Sequence, residues 1–256
     1  MKFDELDLRM RVYETAHDHC VLPGLFIAAR IDGRNFTRLT KDVHKFEAPF
    51  DERFRDYMVD TTAHLMNCGF RIVYGYTQSD EISLVFHRDD TSFGRKLRKL
   101  NSVLAAEASA KFSLCLGDPA AFDCRISQLP DLEALVDYLR WRNEDAHRNA
   151  LNAHCYWCLR GRGYGVGEAT DRLSGLSVAE KNELLFHEVG VNFNDLPLWQ
   201  RRGVGLYWAT VERAGTNPLT GETATALRRQ LTRELNLPMR DEYSAFVREL
   251  LKVAHA

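Results

Sequence analysis

The sequence has no long apolar segment. No run approaches the ~20 apolar residues that a membrane-spanning helix needs. The first ten residues, MKFDELDLRM, are charged and do not resemble a secretory signal. We therefore expect no membrane partner and a cytoplasmic location.

A large excess of charge of one sign is also missing. The 256 residues include 34 Lys and Arg against 36 Asp and Glu, which gives a formal net charge of −2. With 45% hydrophobic residues, the composition excludes a disordered or collagen-like chain. A near-neutral chain has no general electrostatic hold on nucleic acid, so a nucleic-acid partner would need a local basic surface.

A second cysteine pair at zinc-ligand spacing is absent. Cys155 and Cys158 form one CxxC, and the remaining cysteines are scattered. This pattern favours reduced thiols over disulfides and disfavours a structural zinc site, which usually has two ligand pairs. The sequence leaves the role of Cys155 and Cys158 open.

The first half of the chain alternates strand-like and helix-like segments. Apolar runs predict strands at 25–31, 70–76, 82–86 and 121–126, and helical spacing predicts helices at 50–67 and 93–116. The polar turn TQSDE joins the middle strands into a hairpin. The resulting βαββαβ order predicts an α/β (α+β) fold, with one antiparallel sheet and helices on one face.

The second half is predicted to be mostly helical. Helices are expected at 131–159, 177–187 and 241–253, a single strand at 204–211, a Gly-rich loop at 160–176 and a turn-rich linker at 215–223. We expect a catalytic core at 1–130 and a helical accessory region at 131–256, packed on the same body.

Acidic residues follow two of the predicted strands. Asp32 ends the first strand, and Asp80 and Glu81 lie at the hairpin tip, so the three carboxylates are expected to gather at the rim of one sheet. Such a cluster requires a cation, and hard oxygen ligands suit Mg²⁺. Gly33 permits close approach of the backbone to an ion or phosphate. The alternative is an ordinary Asp-Gly turn and a solvated hairpin tip.

Two groups of basic residues suggest phosphate or RNA contacts. Arg95, Lys96, Arg98 and Lys99 begin a predicted helix, and a triphosphate could bridge them to the carboxylates. A second group mixes cations and aromatics, as RNA-binding surfaces do: Arg140, Arg142, Arg148, Arg160 and Arg162 with Tyr138, Trp141, Tyr156, Trp157 and Tyr164. Solvated helix faces and core aromatics remain the alternatives.

Several segments resemble one known family. The strings are ARIDGRNFTRL (29–39), YTQSDEISLVF (76–86), FGRKLRK (93–99), FDCRI (122–126), YLRWRNEDAHRNALN (138–152), LSVAEKNELLFHEVGVNFNDLP (176–197) and RRGVGLYW (201–208). Together they resemble the tRNA(His) guanylyltransferase family over residues 25 to about 212. The resemblance implies a polymerase-palm-like core and a nucleotidyltransferase.

The resemblance also implies a reaction, cofactors and partners. The enzyme would add nucleotides to a tRNA 5′ end in the 3′–5′ direction, after ATP activates the 5′-phosphate. The 3′-hydroxyl of an incoming GTP would attack the activated phosphate. Two Mg²⁺ ions would assist, GTP and ATP would be substrates, and the protein would form a homo-oligomer, as a tetramer.

Site residues follow from the matched motifs. Asp32, Asp80 and Glu81 would be catalytic, and Asp32, Gly33 and Asp80 would hold the metal ions. The implied nucleotide contacts are Asp32, Gly33, Arg34, Asn35, Phe36, Thr37, Ser79, Asp80, Lys96, Lys99 and Arg125. The implied tRNA contacts are His147, Asn149, Lys181 and Asn182.

The sequence departs from the family pattern at two places. Ala48 stands before Pro49 where the family commonly has Lys, a loss for which Lys45 could compensate. The family's HINN stretch reads HRNA at 147–150, which favours the relatives that repair truncated 5′ ends against a template. His147 could equally be a packed helix-face histidine.

Two other functions are compatible with these residues. One is a palm-type enzyme acting on free nucleotides, such as a cyclase, which would not need the basic-aromatic helix or the segment around Lys181. The other is a non-catalytic tRNA-binding protein, which would have no need to keep the three carboxylates.

Overall fold

The computed structural model describes residues 1–216 and 223–255, and the side chains of 1–214 and 225–255. Its strands form one antiparallel sheet in the order β4-β1-β3-β2-β5-β6. They are β1 (Phe26–Gly33), β2 (Ile72–Gln78), β3 (Glu81–Phe86), β4 (Phe122–Leu129), β5 (Val204–Thr216) and β6 (Thr223–Glu234). The predicted fold class and the βαββαβ order are confirmed.

Helices precede, separate and follow these strands. They are α1 (Phe3–Thr15), α2 (Phe36–Arg38), α3 (Glu52–Leu65), α4 (Leu97–Leu116), α5 (Leu132–Gly161), α6 (Val166–Leu173), α7 (Val178–Val189), α8 (Leu198–Arg202) and α9 (Arg240–His255). Among the described residues, no helix is long and apolar enough to cross a membrane.

The alternation of β1 explains why the sheet is covered on both faces. Ile27, Ala29 and Ile31 point into one core with α3 and α4, as expected for the first half. Phe26 and Ala28 point into a second core with α5 and α9. The second half of the chain therefore covers the face that the first half leaves bare.

Two predictions about the later segments need correction, and a third lies mostly outside the described residues. The expected loop at 160–176 contains α6, whose sequence VGEATDRL has a narrow apolar stripe that the flanking glycines obscured. The expected single strand is a pair, because β6 follows β5. Residues 225–230 of β6 are exposed, so they show no alternation of apolar and polar residues. The predicted linker at 215–223 lies mostly outside the described residues.

The start of α4 also differs from prediction. Phe93, Gly94 and Arg95 have positive φ angles of 52°, 61° and 57° and form a short 3₁₀ turn, so the α-helix begins only at Leu97. The side chain of Arg95 is buried and donates hydrogen bonds to the carbonyls of Leu25 (2.6 Å) and Arg88 (3.2 Å). Arg95 is therefore a structural residue rather than part of a basic helix face.

Candidate active site at the end of the sheet

The sheet brings Asp32 and the hairpin tip together. In the antiparallel pairing of β1 with β3, Asp32 lies directly opposite Glu81. The backbone N–H of Gly33 donates to the carbonyl of Asp80 over 3.1 Å. The two catalytic aspartates predicted from distant motifs are therefore neighbours at one end of the sheet.

Glycine is required at position 33 by close packing. A Cβ atom added there would lie 2.5 Å from the ring of Phe36. That ring is buried and packs against Phe112 and Phe122, with ring centroids 5.1 and 4.8 Å apart. The aromatic core thus fixes the backbone that carries Asp32.

Asp80 has little compensation for its charge. It is partly buried, and its side chain accepts a 3.2 Å hydrogen bond from the hydroxyl of Ser79. Burial first, with the charges of Asp32 and Glu81 adding to it, raises the pKa of the Asp80 carboxyl to about 6. A nearby cation would offset both the cost of burying this charge and its repulsion by the neighbouring carboxylates.

Glu81 is paired with arginines, in contrast to Asp80. Arg142 on α5 donates to both of its carboxylate oxygens, over 2.8 and 2.7 Å. Arg30 lies 3.4 Å from Glu81 and 3.5 Å from Asp32. Across residues 1–216 and 223–255, no group of three or more His, Cys, Asp or Glu side chains could hold a metal ion. The three carboxylates gather at the rim of the sheet as expected, Glu81 is paired with Arg142, and their binding of metal ions stays a prediction.

Two adjoining cavities open beside Asp80. The smaller, about 340 Å³, is lined by Asp32, Asp80, Glu81 and Arg142. The larger, about 580 Å³, has walls that combine aromatic side chains with acidic and basic ones. Both are bounded by Pro49, Phe50, Gln78, Ser79, Asp80 and Ala153. Asp80 is thus accessible to a ligand from both cavities, and Asp32 from the smaller one.

The other predicted nucleotide contacts are distributed between this site, the core and the protein surface. Thr37 and Ser79 line the larger cavity, and Phe36 lines it while lying in the aromatic core. Arg34 and Asn35 are exposed and line neither of these two cavities. Arg125 on the edge strand β4 lies opposite Arg30 and is exposed on the same face as Asp32.

The basic start of α4 lies at the other end of the sheet. The backbone N–H of Val21 donates to the carbonyl of Arg95, just before β1 begins. Asp32 lies near the far end of β1, about 20 Å from Phe26 at the rise of an extended strand. Lys96 Nζ instead pairs with Asp18 over 2.6 Å. The predicted triphosphate bridge from Lys96 and Lys99 to the carboxylates is therefore not formed within one chain.

The predicted tRNA contacts lie on α5 and α7. Asn149 lines the smaller cavity, next to the carboxylates. The ring of His147 is half-buried and packs edge-on against Phe193, 5.2 Å between centroids. Lys181 and Asn182 lie on α7, where Asn182 bonds to its own helix. The thiol of Cys155 donates to the carbonyl of Lys181 over 3.3 Å.

Lys41 is a candidate site residue that the sequence did not reveal. It lines the larger cavity with its Nζ 5.2 Å from the ring centroid of Trp157. Burial lowers its pKa. Lys45, suggested as a substitute for the lysine missing at Ala48, is exposed outside the cavity. The contact between residues 41 and 157 is long-range, so no local pattern could have shown it.

Comparison with known proteins identifies relatives for the whole sheet. A family model described as tRNAHis guanylyltransferase matches residues 7–130, and one described as Thg1 C terminal domain matches residues 133–244. A probable tRNA(His) guanylyltransferase of Bos taurus is 36% identical over 211 residues, 78% of this chain and 70% of that protein. The tRNA(His) guanylyltransferase of Neurospora crassa is 31% identical over 247 residues, 91% of this chain and 84% of that protein.

Solved structures agree with these relatives. A bacterial tRNA(His) guanylyltransferase-like protein in complex with GTP superposes with a TM-score of 0.73 at 25% identity, covering 97% of this chain and 99% of that one. The corresponding complex with ATP gives a TM-score of 0.76 at 25% identity, covering 98% and 99%. The predicted polymerase-palm-like fold and enzyme type, a nucleotidyltransferase, are thereby confirmed, and the chain belongs to the tRNA(His) guanylyltransferase family.

Proposed function

We propose that this protein is a Mg²⁺-dependent nucleotidyltransferase that adds nucleotides to the 5′ end of tRNA in the 3′–5′ direction. The observation that carries the proposal is the pairing of Asp32 with the Asp80 turn beside two cavities. Family membership supports the reaction type. The geometry supports the end of the sheet around Asp32 and Asp80 as the place where the reaction occurs.

The two aspartates fit a magnesium site. Burial raises the pKa of Asp80, and the nearby charge of Asp32 adds to this shift. Mg²⁺ is commonly held by one or two carboxylates and completes its shell with water and substrate phosphates. Asp32, Asp80 and the carbonyl of Gly33 would hold two Mg²⁺ ions. Bound there, the ions would neutralise the charge of reacting phosphates.

The larger cavity suits a nucleotide. Its aromatic walls include Phe46, Phe54 and Trp157, and a base can stack on such rings. Lys41 and Arg160 line the same cavity and would neutralise phosphate charge. We infer that GTP binds here, with its 3′-hydroxyl directed toward Asp80.

The smaller cavity suits the 5′ end of tRNA. In the proposed reaction the GTP 3′-oxygen forms a bond to the 5′-phosphorus, and the bond from that phosphorus to the AMP placed by ATP breaks. The chain's own residues would position the two ends and exclude water, as phosphoryl transfer requires. Asn149, Arg142 and Asp32 line this cavity.

Repair of truncated 5′ ends fits the structure better than strict recognition of tRNA(His). His147 packs against Phe193 instead of standing free in a cavity. We propose template-dependent addition on several tRNAs, with Lys181 and Asn182 contacting the RNA from α7. We also propose cytoplasmic action and a homotetramer. The exposure of Phe3 (77%), Leu8 (70%) and Tyr13 (76%) on α1 supports assembly.

Incubation with 5′-truncated tRNA, GTP, ATP and Mg²⁺ tests the proposal. The parent should incorporate GMP, Asp80→Asn should not, and Asp56→Asn, an exposed acid on α3, should match the parent. Equal incorporation by Asp80→Asn, or none by the parent, would refute it. A cyclic product formed from GTP without tRNA would instead favour the free-nucleotide enzyme.

A further inference from the structure

The charge network around Glu81 assigns a role to Arg142. We propose that Arg142 is a positioning residue that holds Glu81, and through it the Ser79–Asp80 turn, in the arrangement that the reaction needs. The inference deepens the proposed function and rests on it. The matched segment 138–152 contains Arg142 but assigns it no partner and no role.

The contact has the geometry of a strong pair. Arg142 Nε and Nη2 donate to separate oxygens of Glu81, over 2.8 and 2.7 Å. The two side chains are only 9% and 17% exposed. Fork-shaped pairs of this kind fix orientation as well as charge. Because Glu81 directly follows the turn, fixing its side chain restricts the position of Asp80.

Arg142 is itself held in place. Its guanidinium carbon lies 4.6 Å from the ring centroid of Trp141, and Nη2 is 3.3 Å from Asp145. Arg30 extends the network by lying between Glu81 and Asp32. Helix α5 and strands β1 and β3 are therefore joined at the site by one chain of alternating charges.

The arrangement argues against Glu81 as a metal ligand. Both of its oxygens accept hydrogen bonds from Arg142, so a cation bound to Glu81 would lie close to the positive guanidinium and be repelled by it. Removal of Arg142 alone would leave Glu81 as an unpaired and poorly solvated negative charge beside Asp32 and Asp80. Removal of both partners would eliminate that charge. The two changes should therefore not be additive.

The experiment compares Arg142→Gln, Glu81→Gln and the double variant. The control is Arg248→Gln, because Arg248 makes a similar two-pronged pair with Glu133 at the start of α5, over 2.9 and 2.7 Å. We expect Arg142→Gln to lower kcat by roughly 10- to 100-fold, with KM for GTP within about 3-fold of the parent. The double variant should regain at least about 5-fold in kcat over Arg142→Gln.

Two results would overturn the inference. One is parental kcat in Arg142→Gln. The other is a double variant no more active than the weaker single variant, which is the behaviour expected if Glu81 itself touches a metal ion or substrate. Should Arg142→Gln fail to fold, Arg142→Lys keeps the charge without the fork, and it should lower kcat while keeping the parent's unfolding temperature.

A second readout does not need activity. Amide hydrogen exchange of the 76–82 peptide should be faster in Arg142→Gln than in the parent or in Arg248→Gln, and slower again in the double variant. Unchanged exchange would refute the positioning role even if the parent incorporated no nucleotide. A parent without incorporation would refute the proposed function, so the two failures can be told apart.

Discussion

The two ends of β1 differ in how their charges are compensated. Before β1, Asp18 pairs with both Lys96 and Arg98. At the other end, Asp32 lies beside the Asp80 turn, and Arg30 is shared between Asp32, over 3.5 Å, and Glu81, over 3.4 Å. The positive charges of Lys96 and Arg98 are balanced in the fold by Asp18. The negative charge of Asp32 and Asp80 exceeds what Arg30 supplies. We infer that the aspartate end carries the chemistry.

The largest expected effect distinguishes the aspartates from an acid next to them. Asp32→Asn should lower kcat by at least about 1,000-fold, because it removes half of the proposed metal site. Asp123 lies directly opposite Asp32 on β4 and is 64% exposed, so it offers a matched control. Steady-state kinetics should show that the kcat of Asp123→Asn lies within about 3-fold of the parent's kcat. A similar loss of kcat in Asp32→Asn and Asp123→Asn would mean that Asp32 and Asp80 do not form a specific site.

The second prediction concerns stability and pH without divalent ions. The pKa of Asp80 is about 6 in the fold, above its ordinary value of 3.8, so the folded chain binds this proton more tightly. The free energy of unfolding attributable to Asp80 therefore falls as pH rises from about 4 to above 6. The free energy of unfolding of Asp80→Asn should exceed that of the parent by about 1–3 kcal/mol at pH 7.5.

Denaturant titration at two pH values checks this prediction. The difference between Asp80→Asn and the parent should shrink toward zero near pH 4, where the parent's carboxyl is protonated. Asp56→Asn should show no comparable pH-dependent gain. A constant difference at both pH values would mean that Asp80 carries no unusual proton affinity.

A smaller effect is expected in the larger cavity. Lys41→Ala should raise KM for GTP about 10-fold with little change in kcat, since it removes a charge that contacts bound phosphate equally in ground and transition states. Lys45→Ala removes an exposed lysine outside the cavity and should match the parent. Equal KM values for the two variants would place the nucleotide elsewhere.

The smallest effect is expected at the basic end. Lys99→Ala should change KM for GTP by less than about 3-fold, because Lys99 lies near the start of β1, roughly 20 Å from Asp32 along the strand. Initial rates over a range of GTP concentrations give the answer. A change of 10-fold or more would show that this end does contact nucleotide, as the motif resemblance implied.

The sequence predicted the parts of the site that depend on local pattern. The strand before Asp32 and the hairpin around Asp80 follow from apolar runs and a polar turn, and their pairing follows from antiparallel geometry. The bridge between Arg142 and Glu81 spans 61 residues and needs the position of α5 over the sheet. The placement of Lys96 failed for the same reason, since helix spacing does not specify which end of a sheet the helix start will meet.

Strand β6 shows a different limit. Its residues at 225–230 are exposed on the edge of the sheet, so no buried face imposes a period of two on the sequence. Pairing with β5 from 205 to 216 holds it in place. Backbone pairing of this kind leaves little trace in side-chain composition.

Divalent-ion binding tests the central account most directly. Mn²⁺ titrated into the parent, Asp32→Asn and Asp80→Asn can be followed by electron paramagnetic resonance of the free ion. We predict saturable binding to the parent and at least about 10-fold weaker binding to either variant, because each removes one of two carboxylate ligands. Equal binding to all three proteins would contradict the assignment of Asp32 and Asp80 as the metal site.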